Sequence, residues 1–156
     1  MLYGYGSIIF DGALVTIEQA LLSVALSFLL GLIGAAAKSS QSKIARLLSG
    51  IYTTLIRGVP DLVLMLLIFY GLQIIVNMVT ESLGIGQINI DPFVAGVLTI
   101  GFIYGAYFTE TFRGAFIIVP KGQIEAAVAY GFSPWQIFRI ILFPQMMRFA
   151  LPGIAN

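Results

Sequence analysis

Residues 61–79 read DLVLMLLIFYGLQIIVNMV, an apolar run whose single charge is Asp61 at its start. No period-two alternation runs through it, which excludes a barrel strand. Its length approaches the ~20 residues with which a helix crosses a bilayer, and a helix satisfies its own backbone groups inside lipid. Two further stretches have the same character: residues 13–37, ALVTIEQALLSVALSFLLGLIGAAA, and residues 93–112, FVAGVLTIGFIYGAYFTETF. The fold class is therefore an all-α integral membrane protein. Composition agrees, with 59% hydrophobic and 10% charged residues against about 25% charged in soluble domains. A water-soluble chain of this size could not hide that much apolar surface.

Orientation follows from the basic residues. Lys38, Lys43, Arg46 and Arg57 lie between the first and second spans, and Arg113, Lys121, Arg139 and Arg148 follow the third. The N-terminal tail and residues 80–92 hold none. The positive-inside rule places the basic side in the cytoplasm and the N-terminus outside. Residues 1–12 read as a short tail ahead of the first span, because no basic n-region of a secretory signal precedes it. The net charge of +1 gives no case for nucleic acid. Without cysteine or histidine the chain has no disulfide, no thiolate chemistry and none of the common zinc ligands, and no clustered pair of catalytic carboxylates supports an enzyme.

The segment from Val119 to Pro144 differs in kind, being only moderately apolar and charged. It reads as two short helices on the cytoplasmic face. The first covers about 121–130, with Gly131 where a helix C′ residue belongs. The second opens at Ser133-Pro134-Trp135-Gln136, an S-x-x-Q capping box with proline at the first helical position. Pro144 is expected to end or kink that helix, and the apolar run that follows is expected to begin a fourth span.

Within this elbow stand Glu125-Ala126-Ala127, then Gly131, then Ile141-Leu142-Phe143-Pro144. The pattern E-A-A-x3-G-x9-I-x-L-P resembles the signature of permease subunits of bacterial binding-protein-dependent ABC importers, with Phe143 where leucine is usual. Arg57-Gly58-Val59-Pro60 and Ala106-Tyr107-Phe108-Thr109-Glu110-Thr111-Phe112-Arg113-Gly114 are similar to motifs of the polar amino acid group of that family. The resemblance covers nearly the whole chain. It implies a type I permease bundle in the bacterial inner membrane, here three spans, a coupling-helix elbow over 121–144 and the start of a fourth span. Members of the family usually have five or more spans, so the chain is expected to be an N-terminal portion of a longer permease. The implied activity is ATP-driven import of polar or basic amino acids: histidine, arginine, lysine and ornithine. The implied partners are a homologous permease, two ATPase subunits and a periplasmic amino-acid-binding protein. No cofactor is expected on this chain; ATP and Mg belong to the ATPase.

The elbow also has a physical rationale. The sequence has no G-x-x-x-x-G-K-[ST] phosphate loop, so a separate motor must push on it. A short helix held in a groove of that motor is the simplest coupling. Ala126 and Ala127 would allow close approach, Gly131 the sharp turn, and Glu125 a polar anchor. An interfacial amphipathic helix without a partner is the competing reading.

Candidate path residues are Tyr70, Gln73 and Asn77 on one face of the second span, Thr99 and Tyr104 with Tyr107 on the third, and the acids Asp61 and Glu110. Interhelical hydrogen bonding is the alternative for the polar stripe. For the acids, local pairing of Arg57 with Asp61 (i,i+4) and Glu110 with Arg113 (i,i+3) is the preferred reading. Gly96, Gly101 and Gly105 predict close helix packing. Glu18 and Gln19 read as solvated interfacial residues. A membrane scaffold leaves the elbow unexplained, and a small channel does not need it.

Overall fold

A computed structural model describes residues 4–155. Six helices account for almost all of it: α1 Gly6–Ser39, α2 Lys43–Arg57, α3 Asp61–Ser82, α4 Pro92–Ile118, α5 Lys121–Ala129 and α6 Pro134–Ile154. Four of them, α1, α3, α4 and α6, are long and apolar enough to cross a membrane. Most of their large apolar side chains point outward, as expected where lipid replaces water.

The bundle is organised on the seam between α1 and α4. Gln19 stands beside Gly96, Leu26 beside Gly101, Leu30 beside Gly105 and Thr109 beside Gly34. Partner numbers rise together, so the two helices run parallel. Small residues let the backbones approach closely, and Ser27 Oγ reaches across to the carbonyl of Gly101 at 3.3 Å. Ala35, Phe108, Phe112 and Ala115 of this seam join Met146 and Ala150 of α6 in one buried cluster. Ile56 of α2, Leu64 of α3, and Ile103 and Ala106 of α4 form another. Gly153 meets Thr111 while Met146 packs at the Ala115 end, so α6 runs antiparallel to α4.

Residues 38–60 are more than a connection. Ser42 caps α2 by accepting from the Ala45 amide, and the helix folds back along α1. Ser49 Oγ donates to the Gly34 carbonyl at 2.9 Å, and Tyr52 donates to the Phe102 carbonyl at 2.5 Å. Gly58 and Pro60 then break the helix before α3 continues. Asp61 meets Tyr107, and Ile118 at the end of α4 lies 11 residues further on, about 16 Å at 1.5 Å per residue. The second span thus begins at a break in the chain between α2 and α3, level with Tyr107 and well short of the end of α4.

The connection from α3 to α4 is also more structured than a loop over the surface. From Asp61 to Ser82 α3 rises roughly 32 Å, whereas Pro92 lies only roughly 23 Å along α4 from Tyr107. Residues 83–90 must therefore descend beside α3. Gln73 and Asn77 hold them there. The Ile90 amide donates to Gln73 Oε1 at 2.9 Å, the Ile88 amide donates to Asn77 Oδ1 at 3.1 Å, and Gln73 Nε2 donates to the Ile88 carbonyl at 2.6 Å.

The fourth helix departs from the expected boundaries. Its first turns are the second helix of the elbow, and it runs on through Pro144 to Ile154 without a stop. The reason lies in residues Ile137–Leu142, which adopt a π-helical turn in which the Phe143 amide donates to the Phe138 carbonyl. A regular α-helix would set the Pro144 ring against the carbonyl of Ile140. The wider turn just before it relieves that conflict.

Candidate functional site

At the α2–α3 break lies an open pocket of about 430 Å³ lined by Lys38, Thr53, Thr54, Arg57, Gly58, Tyr107 and Glu110. Lys38 comes from the end of α1 and donates to Thr53 Oγ1 at 2.8 Å and to Glu110. Arg113 Nε donates to the other oxygen of Glu110 at 3.0 Å. The expected Glu110–Arg113 pair is present, and it is joined by a lysine 72 residues away in sequence.

The expected Arg57–Asp61 pair does not form. Those residues sit on opposite sides of the helix break, so i,i+4 spacing does not bring them face to face. Asp61 instead accepts from the Tyr107 hydroxyl at 2.9 Å. The Arg57 guanidinium lies over the Tyr107 ring, 5.6 Å from its centroid, a cation–π geometry. Tyr107 thus carries a cation on its face and an anion on its hydroxyl. Ionisable groups within a membrane bundle are candidates for a functional path, and the α2–α3 break offers two backbone termini at the same point.

A second groove, about 400 Å³, runs between α1 and α4 and ends at Ile154. Thr16, Gln19, Ser23 and Ser27 of α1 line it with Tyr104 of α4. Ser23 Oγ is buried without a hydrogen-bond partner, as is Thr99 Oγ1. Sequence reasoning overlooked this stripe and treated Gln19 as interfacial. The i, i+3, i+7, i+11 spacing of 16, 19, 23 and 27 was the available signal.

The other candidate path residues divide. Tyr104 faces the groove, and Thr99 is buried beside a smaller apolar pocket with Tyr70. Tyr70 is exposed on the outside of α3. Gln73 and Asn77 are occupied by the backbone of residues 88–90. That is a correction to their reading as a free polar stripe: amides at that depth need partners, and these two side chains supply them.

The elbow is built from two tight motifs. Gly131 has φ +79°, its amide donates to the Val128 carbonyl, and the Phe132 amide donates to the Ala127 carbonyl. These two bonds make a Schellman motif, which needs the left-handed residue that glycine supplies. Two residues on, Ser133 Oγ accepts from the Gln136 amide and Gln136 Oε1 accepts from the Ser133 amide, closing the capping box. Glu125 and Ala126 are exposed, as are Tyr130 and Trp135. Ala127 is not, at 3% exposure. It packs inside the turn as the residue that bonds Phe132, so it offers no surface to a motor. Ile141 lies within the π turn, and Pro144 is exposed on α6.

A bundle of membrane-crossing helices, one of them entered through a helix break beside half-buried charges, with an elbow between two spans, defines a membrane permease. Residues 27–156 match the family model described as binding-protein-dependent transport system inner membrane component. The chain belongs to that family and is a multi-pass membrane subunit of an ABC importer. It is similar to the histidine/lysine/arginine/ornithine transport system permease protein HisQ of Escherichia coli, with 67% identity over 100% of this chain and 68% of that protein. The nopaline transport system permease protein NocQ of Agrobacterium fabrum is 42% identical over 98% of this chain and 66% of its own length. Among solved structures, the crystal structure of an amino acid ABC transporter with histidines superposes with TM-score 0.75 and 31% identity over 99% of this chain and 67% of that one.

Proposed function

We propose that this subunit passes histidine and the cationic amino acids lysine, arginine and ornithine across the inner membrane. It does so paired with a homologous permease and coupled at Glu125–Pro144 to two ATPase subunits that bind ATP and Mg. A periplasmic binding protein delivers substrate to the outer face, where the N-terminus lies. The carrying observation is the polar pocket at the α2–α3 break. It brings Lys38 and Arg57 together with Glu110, and Asp61 lies one hydrogen bond away on Tyr107. Cations suit an α-carboxylate, and carboxylates suit an ammonium or guanidinium group. The relatives' names supply the substrate class.

Two experiments on the full complex test this reading. Asp61→Asn keeps an acceptor for Tyr107 but removes the charge. It should weaken uptake of arginine and lysine more than uptake of histidine at a pH where histidine is neutral; equal losses would show that Asp61 only orients Tyr107. For the coupling, Gly131→Val forces a β-branched residue into the left-handed region, at a cost of about 1–2 kcal/mol. Gly131→Asn tolerates that backbone. A Cβ at this position meets nothing within 4 Å, so backbone conformation and not crowding separates the two. The valine variant should lose ATP-driven uptake and ATPase association while the asparagine variant keeps them. Unchanged uptake and association in the valine variant would remove the elbow from the mechanism.

A further inference from the structure

Helix α2 presents three separate faces. Ser49, Thr53 and Ile56 are buried against α1 and α4. Ile44, Leu47, Leu48, Ile51 and Leu55, at the i, i+3, i+4, i+7 and i+11 positions of one stripe, point away and are 47–71% exposed. The third face carries Lys43 and Arg46, then the small residues Gly50 and Thr54. Along the border of the apolar and basic faces runs a groove of about 380 Å³, with Arg46, Gly50 and Thr54 on one wall and Leu47, Ile51 and Leu55 on the other.

The groove has a polar end and an apolar end. Ala45 lines a pocket with Ala37, which sets Lys43 and Arg46 level with the last turn of α1. From there to Leu55 the groove runs roughly 13 Å along the outward surface of α2. No acidic residue occurs between Lys38 and Pro60. Gly50 forms an open floor: a Cβ built there meets nothing within 4 Å.

We propose that this groove is a binding site for an anionic phospholipid of the inner leaflet, its phosphate at Lys43 and Arg46 and its acyl chain along Gly50, Ile51 and Leu55. Charge complementarity selects the headgroup, because two cations without a neighbouring carboxylate favour net negative lipids over zwitterionic ones. The apolar wall selects a chain and not a free phosphate. Cytoplasmic placement of the basic end follows from the distribution of all basic residues and is independent of the substrate assignment.

The test uses the complete transporter in nanodiscs containing phosphatidylglycerol and phosphatidylethanolamine with matched chains, followed by native mass spectrometry of the released complex. The unmodified complex should retain phosphatidylglycerol over phosphatidylethanolamine by roughly thirtyfold, the scale expected for two surface cations. Lys43→Gln with Arg46→Gln should remove the preference. Gly50→Leu should displace the lipid while leaving the charges in place, and the fold has room for the leucine. Equal retention of the two lipids by the unmodified complex overturns the proposal, as does undiminished phosphatidylglycerol in both variants. Efficient cross-linking of a cysteine at Ile51 to the second permease subunit also overturns it, since protein and not lipid would then cover the groove.

Discussion

Replacing Gly31 by alanine should lower the thermal stability of the purified transporter by about 1–3 kcal/mol, the range for overpacking a well-filled core. The added Cβ would stand 2.5 Å from Phe108 Cβ and 3.1 Å from the Phe108 backbone carbon. Neither atom can swing aside as the tip of a long side chain can. The loss has to exceed an opposing gain, because alanine favours a helix over glycine by roughly 0.5–1 kcal/mol. Gly12, in the same helix, meets nothing within 4 Å. Gly12→Ala is therefore the control and should be neutral or stabilising. Gly31→Leu should prevent assembly of the bundle, read as loss of the monodisperse complex on size exclusion. If Gly31→Ala and Gly12→Ala shift the unfolding temperature alike, the α1–α4 seam is not as tight as drawn.

The second large effect is expected at Glu110. Its carboxylate holds Lys38 and Arg113, with side-chain exposures of 16% for Glu110, 23% for Lys38 and 38% for Arg113. Breaking a buried pair by removing one partner costs roughly 3–5 kcal/mol, because a charge is left uncompensated. The remaining exposure of these groups reduces the expected loss for Glu110→Gln to about 2–3 kcal/mol. Lys38→Met combined with Glu110→Leu should recover part of it, since no unpaired charge then remains on α1, and Arg113 reaches solvent most easily of the three. Thermal unfolding of the two variants beside the parent decides the matter. A Glu110→Gln complex that keeps its stability but changes its preference between cationic and neutral substrates would assign Glu110 to the path instead.

Both predictions concern contacts between residues far apart in the chain, and this is where legibility ended. The spans were readable because hydropathy accumulates along a continuous stretch. Each could be placed from residues 61–79, 13–37 and 93–112 alone. The elbow was readable because its motifs are closed within a few residues: the Schellman bonds around Gly131 and the capping box of Ser133 and Gln136 depend on local geometry only. The glycines of α4 predicted close packing, yet nothing in the sequence named α1 as the partner. Helix α2 was missed because its apolar stripe, interrupted by Lys43, Arg46 and Arg57, falls below the signal of a span, and its buried face of Ser49, Thr53 and Ile56 is defined only by what covers it.

Polar residues inside the membrane were the least legible class. Gln73 and Asn77 read equally as path lining or as hydrogen-bonding residues, and the structure gives them to the amides of residues 88 and 90. Asp61 looked paired with Arg57 and bonds Tyr107 instead. A side chain's type and spacing state what it needs in lipid, a hydrogen bond or a countercharge. They do not state which distant segment will arrive to supply it. Bilayer residence, the elbow and the family were legible in the sequence, because each is written in local composition or a short motif. Only the tertiary structure shows that Lys38 meets Glu110, that the α2–α3 break lies level with Tyr107, and that a polar pocket opens there. Those depend on how parallel and antiparallel helices are brought into register, and register is set by packing across the bundle.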